Sequence, residues 1–400
     1  MTNIGSTEVS TRRKVTGFFR DIPGCHYLVH WKERTLDDMQ FLKLILLTIM
    51  VVAACSKQEK QKESVFEKYE VHESTVFLSP EIADFVGMPV HIKAETGALY
   101  FTDNSFDRVT KVDLNGQKLF SFGSEGRGPG EFQSLSGFWK FEDRYLIYDY
   151  NGFKFITYDF QGDPVSDIAV DVNPVNPDGF PPNIPLTVEA ISPHLLLIPS
   201  RGRNNSLFAI ADIKNDHLSF LGSAVGDFVE NYNRDEIRQS HLRGEIPEIF
   251  VNFMMLSHSS NGIYAFQQTT GILEKYSHSG ELIWEVNIKH PVQEGMFSHF
   301  ADENRESVRS GEPALRLYKY AKAMDANEEG VAVLLNTLEN NKATVIWVSD
   351  DGETLAEITY QGINNELIGR FNSFTFSPED SRAWFLNQQY GEIYSADWPL

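Results

Sequence analysis

Six polar residues of this sequence stand at equivalent places, each directly after a short apolar run. Their carboxylate, amide and hydroxyl groups could bind a ligand by hydrogen bonds if the fold gathers them into a ring. The alternative is turn chemistry, because Asp, Asn and Ser side chains also bond to the backbone where a strand ends. The six residues are Asp103, Asp149, Ser200, Gln267, Asn336 and Asn387.

Arginines in the segments between these runs form a second candidate group. A planar guanidinium holds a carboxylate or a sulfate through two parallel hydrogen bonds. The alternative is that each arginine pairs with a neighbouring Glu or Asp in solvent. The group contains Arg127, Arg201, Arg203, Arg234, Arg238, Arg243, Arg305, Arg309 and Arg316. Taking both groups together, the predicted ligand contacts are Asp103, Arg127, Asp149, Arg201, Arg203, Gln267, Arg316, Asn336 and Asn387.

The sequence contains no recognisable catalytic or metal-binding motif. No histidine lies in an HExxH spacing, no Gly-x-Ser-x-Gly elbow is present, and the two cysteines, Cys25 and Cys55, cannot form a Cys-based zinc site. The glycine-rich segment 123–132 loosely resembles a phosphate loop, but no Lys-Ser/Thr follows it and Pro129 lacks a backbone donor. We therefore predict no catalytic residue, no metal and no cofactor.

The elements that must position the candidates form a repeat. Paired β-rich runs recur in six units, and the second strands of these units are centred near Tyr100, Leu146, Leu197, Tyr264, Val333 and Trp384. In four units the third strand ends in a similar tetrapeptide: DLNG (113–116), DFQG (159–162), SHSG (277–280) and SDDG (349–352). A period of this size with several short strands per unit is typical of a β-propeller.

Each unit predicts a blade of four antiparallel strands. In the second unit the strands are predicted at 132–141, 144–150, 154–160 and 164–170. The terminal glycine of each tetrapeptide would allow a positive φ in the turn between the third strand and the outermost one. The last unit stops after its third strand, so the strand-like segment 68–78 is predicted to complete that blade and close an all-β, six-bladed ring over residues 66–400.

The segment GSEGRGPGEF (123–132) resembles the connection between blades of NHL-type repeats. The chain is similar to the lipid-anchored six-bladed propellers of Bacteroidetes-type bacteria, within the broader TolB-like class. This resemblance implies a scaffold rather than a particular activity. Calcium-dependent lactonases share the fold class and carry Glu, Asn and Asp on inner strands, but the inner strands predicted at 132–141 and 371–380 offer few such residues.

Three long connections between blades are predicted at one end of the ring, at 171–185, 226–250 and 289–316. The last two contain charged stretches that are compatible with helices. Connections of this length in a compact domain are usually functional or disordered. We expect them to form a lid or a wall at the end of the ring that carries the candidate residues.

The front of the chain resembles a bacterial lipoprotein signal. Residues 39–55 contain one Lys, an apolar run too short to span a bilayer, and the ending Val-Ala-Ala-Cys at 52–55. The resemblance implies lipidation of Cys55, with residues 56–65 as a polar tether. Residues 1–38 are then a gene-model extension or, alternatively, a disordered cytoplasmic segment.

The sequence therefore predicts a binding scaffold anchored to a bacterial membrane and facing the periplasm or the exterior. Its partner would be an envelope protein, a small molecule or a glycan at the loop-rich end. The alternative is a lactonase-like, metal-dependent hydrolase or lyase with its site in the central channel, where calcium would be the cofactor, and a purely structural envelope component is a third reading. The net charge of −21 argues against a nucleic-acid partner, because it repels phosphate backbones.

Overall fold

Runs rich in Val, Ile, Tyr and Phe form 25 strands in the described part of the chain. The computed structural model describes residues 66–152, 154–169, 188–215, 217–229, 233–312, 316–339, 342–361 and 371–400. The predicted signal peptide, its upstream segment, the tether up to residue 65 and the connection 171–185 lie outside the described residues. The first two strands are β1 (Glu67–Val71) and β2 (Ser74–Leu78).

The other strands follow in six groups along the chain. The first blade contains β3 to β6, at Pro89–Glu95, Ala98–Asp103, Arg108–Asp113 and Lys118–Phe122. The second contains β7 to β10, at Leu135–Lys140, Tyr145–Asp149, Lys154–Tyr158 and Pro164–Ala169. The third contains β11 to β14, at Glu189–Ser192, Leu195–Pro199, Phe208–Asp212 and His217–Leu221. The predicted strands of the second unit are thus confirmed to within a few residues.

The remaining blades complete the ring. The fourth contains β15 to β18, at Met254–Ser259, Gly262–Gln267, Ile272–Tyr276 and Leu282–Asn287. The fifth contains β19 to β22, at Ala321–Ala326, Gly330–Leu335, Lys342–Ser349 and Leu355–Gln361. The sixth contains β23 to β25, at Ser373–Ser377, Arg382–Asn387 and Glu392–Asp397. Within each blade, consecutive strands pair antiparallel in chain order, so the predicted six-bladed β-propeller is confirmed.

The N-terminal segment closes the ring, but it does so in two pieces. Strand β2 pairs antiparallel with β25, with Ser74 opposite Ala396 and Leu78 opposite Ile393, and supplies the missing fourth strand of the last blade. Strand β1 does not join that blade. It pairs in parallel with β22 and adds a fifth strand to the fifth blade. The prediction of one closing strand over 68–78 was therefore right about closure and wrong about its extent.

The core lies between the blades. Six hydrophobic clusters occupy the six interfaces between neighbouring blades, so each blade packs on two others. The cluster between the last and first blades contains Leu78, Ile92 and Trp384, each almost fully buried. Closure therefore removes apolar surface from water as well as pairing a sheet edge.

The ring has two distinct ends because neighbouring strands alternate in direction. The hairpins from first to second and from third to fourth strand lie at one end, which we call the hairpin end. The loops from second to third strand and the connections between blades lie at the other, which we call the loop end. The first strands of the blades surround the central channel.

The four repeated tetrapeptides are turns of the hairpin end, as predicted. Their glycines have φ values of 79° at Gly116, 85° at Gly162, 90° at Gly280 and 77° at Gly352. Each glycine also faces the outermost strand of the preceding blade. At Gly162, an added Cβ would lie 2.6 Å from the Cβ of Phe122. The glycine is thus required both by the turn and by the close approach of two blades.

Gly162→Ala should lower the free energy of unfolding by about 2 kcal/mol or more, since it adds a clash with Phe122 to the cost of a left-handed residue. Gly97→Ala is the matched control, because Gly97 has a φ of 78° and no neighbour within 4 Å of an added Cβ. Chemical denaturation of both variants measures the difference. Equal losses would contradict the role of the contact between blades.

Candidate functional site

The channel at the hairpin end holds a network of charged side chains from the inner strands. Lys93 on β3 forms an ion pair with Asp325 on β19. The second oxygen of Asp325 accepts a hydrogen bond of 2.7 Å from the hydroxyl of Thr375 on β23, and that hydroxyl accepts one of 2.9 Å from the backbone N–H of Ala94. One carboxylate therefore fixes the first, fifth and sixth blades relative to one another.

Glu189 and His258 form the corresponding pair between the third and fourth blades. The Nδ1–H of His258 donates to Oε1 of Glu189 at 2.8 Å, and both side chains are one-fifth exposed. Burial alone would raise the pKa of Glu189, but the hydrogen bond and charge of His258, the charge of Lys93 and the Trp139 indole lower it. Glu189 therefore stays ionised and orients the His258 ring.

Glu95 completes the network between the first and second blades. Its carboxylate forms ion pairs with Lys140 on β7 and with Lys111 on β5, and it accepts a hydrogen bond of 2.9 Å from the hydroxyl of Tyr100. Between the fourth and fifth blades, the hydroxyl of Ser260 donates to Glu328 at 3.1 Å. We call the ring of interblade contacts made by Glu95, Glu189, His258, Glu328, Asp325 and Thr375 the polar belt.

The polar belt surrounds a cavity of about 350 Å³ at the mouth of the channel, and all six blades contribute lining residues. Glu328 and Glu379 lie at its rim and form no ion pair with the described residues. The carboxylates of the lining outnumber its lysines, so the cavity offers mainly hydrogen-bond acceptors. Within the described residues, no group of three or more His, Cys, Asp or Glu side chains is arranged to hold a metal ion.

Two predicted site residues hold the connections between blades at the loop end. Asp103 is fully buried and accepts hydrogen bonds from the backbone N–H groups of Gly87 and Met88 at 2.7 and 3.0 Å. Asp149, also buried, accepts the N–H groups of Gln133 and Ser134 in the same way, at 3.1 and 3.0 Å. In both cases the aspartate fixes the connection that leads into the first strand of its blade. Hydrogen bonding to the backbone therefore accounts for these two positions.

The other members of the predicted ring differ from one another. Ser200 is buried and donates to the backbone carbonyl of Ser206, while the amide nitrogen of Gln267 bonds to Glu274 at 3.3 Å. Asn387 is fully buried. These residues end equivalent strands, but none of them lines the cavity at the hairpin end. Their role in ligand binding stays a prediction.

The predicted arginines are also spread over the loop end. Arg127 is exposed on the connection between the first two blades, Arg201 is buried, and the guanidinium of Arg203 lies 5.7 Å from the ring centre of Phe228. Among the described residues, Arg316 and Asn336 line one cleft, which lies beside a helix. The structure therefore brings together two of the nine predicted contacts.

The long connections form the predicted helices, α1 (Arg234–Arg243) and α2 (Val292–Ser310). The two helices pack together at the loop end. An arginine side chain of each helix donates a hydrogen bond to a backbone carbonyl in the last turn of the other. Arg238 of α1 donates to the carbonyl of Val308 at 2.9 Å, and Arg305 of α2 donates to that of Leu242 at 3.4 Å. In the part of the chain described, neither helix is long and apolar enough to cross a membrane.

The sequence reasoning missed the residues of the polar belt. Lys93, Glu189 and Asp325 lie on the inner strands β3, β11 and β19, for which no candidates were predicted, and His258 belongs to no metal motif of the sequence. The sequence of β3 did contain a signal for this lining. Every second residue of the strand is polar, at His91, Lys93 and Glu95, so these three side chains point to the same face. An alternating polar face on an inner strand of a propeller indicates a channel lining.

Comparison with known proteins agrees with the fold. The family DUF5128, described as a 6-bladed beta-propeller, matches residues 85–178, which include the first two blades. No curated protein sequence matches the chain significantly.

The chain is also similar to solved structures at low sequence identity. One is a Bacteroides fragilis protein considered to be exported, with 11% identity, a TM-score of 0.49 and coverage of 83% of this chain and 99% of that one. Another is a member of the duf4221 family from Bacteroides vulgatus, with 12% identity, a TM-score of 0.47 and coverage of 84% and 98%. A third is a streptogramin B lyase, with 12% identity, a TM-score of 0.44 and coverage of 81% and 97%.

The helix pair at the loop end contains a buried histidine that should make stability depend on pH. His241 of α1 packs edge-on against Phe300, and neither ring nitrogen has a hydrogen-bond partner among the described residues. Burial lowers its pKa to about 4. Between that value and the usual 6.5, the unfolded chain binds a proton that the folded one does not, so stability falls as the pH drops.

His241→Phe should therefore remove up to about 3 kcal/mol of the loss in stability between pH 6.5 and pH 4. Denaturation of wild type and variant at pH 7, 5.5 and 4.5 gives the difference in slope. His278→Asn is the control, because His278 is exposed in a hairpin turn, and it should retain the slope of the wild type. Identical pH profiles for wild type and His241→Phe would contradict the assignment.

Proposed function

We propose that this chain is a lipid-anchored binding protein of a bacterial cell envelope, which holds a small polar molecule in the cavity at the hairpin end. The observation that supports the proposal is convergence: the inner strands of all six blades direct side chains towards one cavity of about 350 Å³. Pockets of this size, lined by a few fixed polar groups, are the usual form of a small-molecule site.

The charges of the lining favour a particular class of ligand. Lys93 and Lys140 are already paired with Asp325 and Glu95, whereas Glu328 and Glu379 form no direct ion pair in the described part of the chain. Ionised carboxylates only accept hydrogen bonds, so the ligand must bring hydroxyl or ammonium donors. A neutral sugar or an amino sugar meets this requirement. An anionic sugar would be repelled by the carboxylates at the mouth of the cavity.

The blades also fix the site in advance. The carboxylates of the polar belt are held by other residues of the ring, Glu189 by His258 of the neighbouring blade and Asp325 by Lys93 across the channel. Fixing the lining before binding reduces the entropy that is lost when the ligand binds. A rigid ring with ligand contacts at one end is therefore suited to binding without a large conformational change.

The envelope location is supported by the sequence at 39–55, which combines a short apolar run with Cys55, and by the polar stretch that follows. These residues lie outside the described part of the chain. A tether of about ten residues would keep the propeller close to the membrane that holds the lipid.

The binding proposal predicts that glucosamine and neutral disaccharides bind the purified protein, while glucuronic acid does not. The double variant Glu328→Gln, Glu379→Gln should weaken binding by about tenfold or more, since hydrogen bonds to charged groups contribute roughly 1.5–3 kcal/mol. Isothermal titration calorimetry measures the affinities. Glu353→Gln is the control, because Glu353 is exposed in a hairpin turn at the same end and does not line the cavity. Absence of sugar binding, or an unchanged affinity in the double variant, would exclude this ligand class.

The anchor proposal predicts that cells grown with a labelled fatty acid transfer the label to this protein. Cys55→Ala should abolish labelling and release the protein from the membrane fraction, because the thiol is the site of the lipid. Cys25→Ala is the matched control and should leave labelling unchanged. A wild-type protein that stays unlabelled and soluble would contradict the anchor.

A further inference from the structure

A second cleft lies at the loop end, on the opposite side of the ring from the polar belt. It has a volume of about 410 Å³ and separates α2 from the fifth blade. Three segments form its walls: α2, residues 316–319 before β19, and the loop that follows β20. Its lining combines a continuous apolar wall with positively charged side chains at the edge.

The apolar wall consists of residues that are packed in advance. Met296 and Phe300 of α2 are buried, and the ring of Phe300 lies 5.5 Å from that of Tyr318, which is also buried. On the opposite side of the cleft, Leu338 is 51% exposed in a loop that is otherwise polar. An apolar group between Leu338 and the helix would cover both surfaces.

The backbone of the charged edge is held in place by two asparagines. Asn304, which is fully buried, donates to the carbonyl of Arg316 at 3.0 Å and accepts the N–H of Arg316 at 2.7 Å. The side chain of Asn336 donates to the carbonyl of Lys319 at 2.9 Å. The positions from which the two cationic side chains extend are therefore fixed before any ligand binds.

The cleft has more positive than negative charge. The guanidinium of Arg316 lies 2.5 Å from a carboxylate oxygen of Glu303, which is also 3.3 Å from His299. Lys319 is exposed at the edge of the cleft and forms no ion pair with any described residue. An ammonium without a counter-ion attracts a carboxylate placed beside it. This local excess of positive charge stands out in a chain of net charge −21.

We propose that this cleft binds a monocarboxylic acid with an apolar tail. The carboxylate lies beside Lys319 and Arg316, and the tail lies between Leu338 and the wall formed by Met296 and Phe300. The site is separate from the sugar site at the hairpin end, so either proposal can fail without the other. It also gives a role to Arg316 and Asn336, two residues that the sequence had indicated as ligand contacts.

The test is calorimetric titration of the purified protein with octanoate. We expect saturable binding, no measurable binding of acetate, which lacks the tail, and at least tenfold weaker binding of octanol, which lacks the charge. Lys319→Met should weaken octanoate binding by roughly tenfold or more. Lys289→Met is the matched control, because Lys289 is an exposed lysine before α2 that does not line the cleft, and it should bind octanoate as the wild type does.

A second variant tests the apolar half of the site. Leu338→Ser removes an exposed side chain, so it should fold normally and weaken octanoate binding severalfold, with a larger effect on decanoate than on hexanoate. The double variant at Glu328 and Glu379 should leave octanoate binding unchanged, which separates the two sites. No binding of octanoate by the wild type, equal binding of octanol, or an unchanged affinity in Lys319→Met would overturn the proposal.

Discussion

The structure depends on closure of the ring by the N-terminal segment. Each blade is a small twisted sheet whose outermost strand could pair with another chain, and the last blade has only three strands of its own. Pairing of β2 with β25 supplies the fourth strand from the far end of the chain and brings Leu78 into the core beside Trp384. Without this pairing, the last blade loses the hydrogen bonds of its fourth strand, and its interface with the first blade loses part of its apolar packing.

The polar belt shows how the same closure creates a site. A ring of blades brings the inner strands together around an axis, where there is no room for six apolar faces to pack and where polar side chains can reach one another. Lys93 and Asp325 are separated by 232 residues in sequence and meet across the channel. These contacts hold blades relative to one another and fix groups that face the cavity, so stability and binding rest partly on the same residues.

Much of the fold was readable from local chemistry. The run ALYFTD at 98–103 is buried along its whole length, and the glycine of DFQG takes the positive φ that its turn requires. The division of segment 68–78 was not readable, because both halves have strand-forming residues and only their distant partners, β22 and β25, distinguish them. Asp103 and Asp149 were readable as strand-ending residues, but a buried carboxylate that holds a connection looks the same in sequence as one that holds a ligand.

The sequence by itself determined the strands, their turns, the number of blades and the need for a closing strand, because these follow from residue types within a few positions of one another. The tertiary structure alone decided which polar residues meet. Whether Glu189 contacts His258, or Arg316 shares a cleft with Lys319, depends on how whole blades and helices are placed, and such contacts leave no periodic pattern in the chain. The sequence thus specified the scaffold, and the packing of distant segments specified the two candidate sites at its ends.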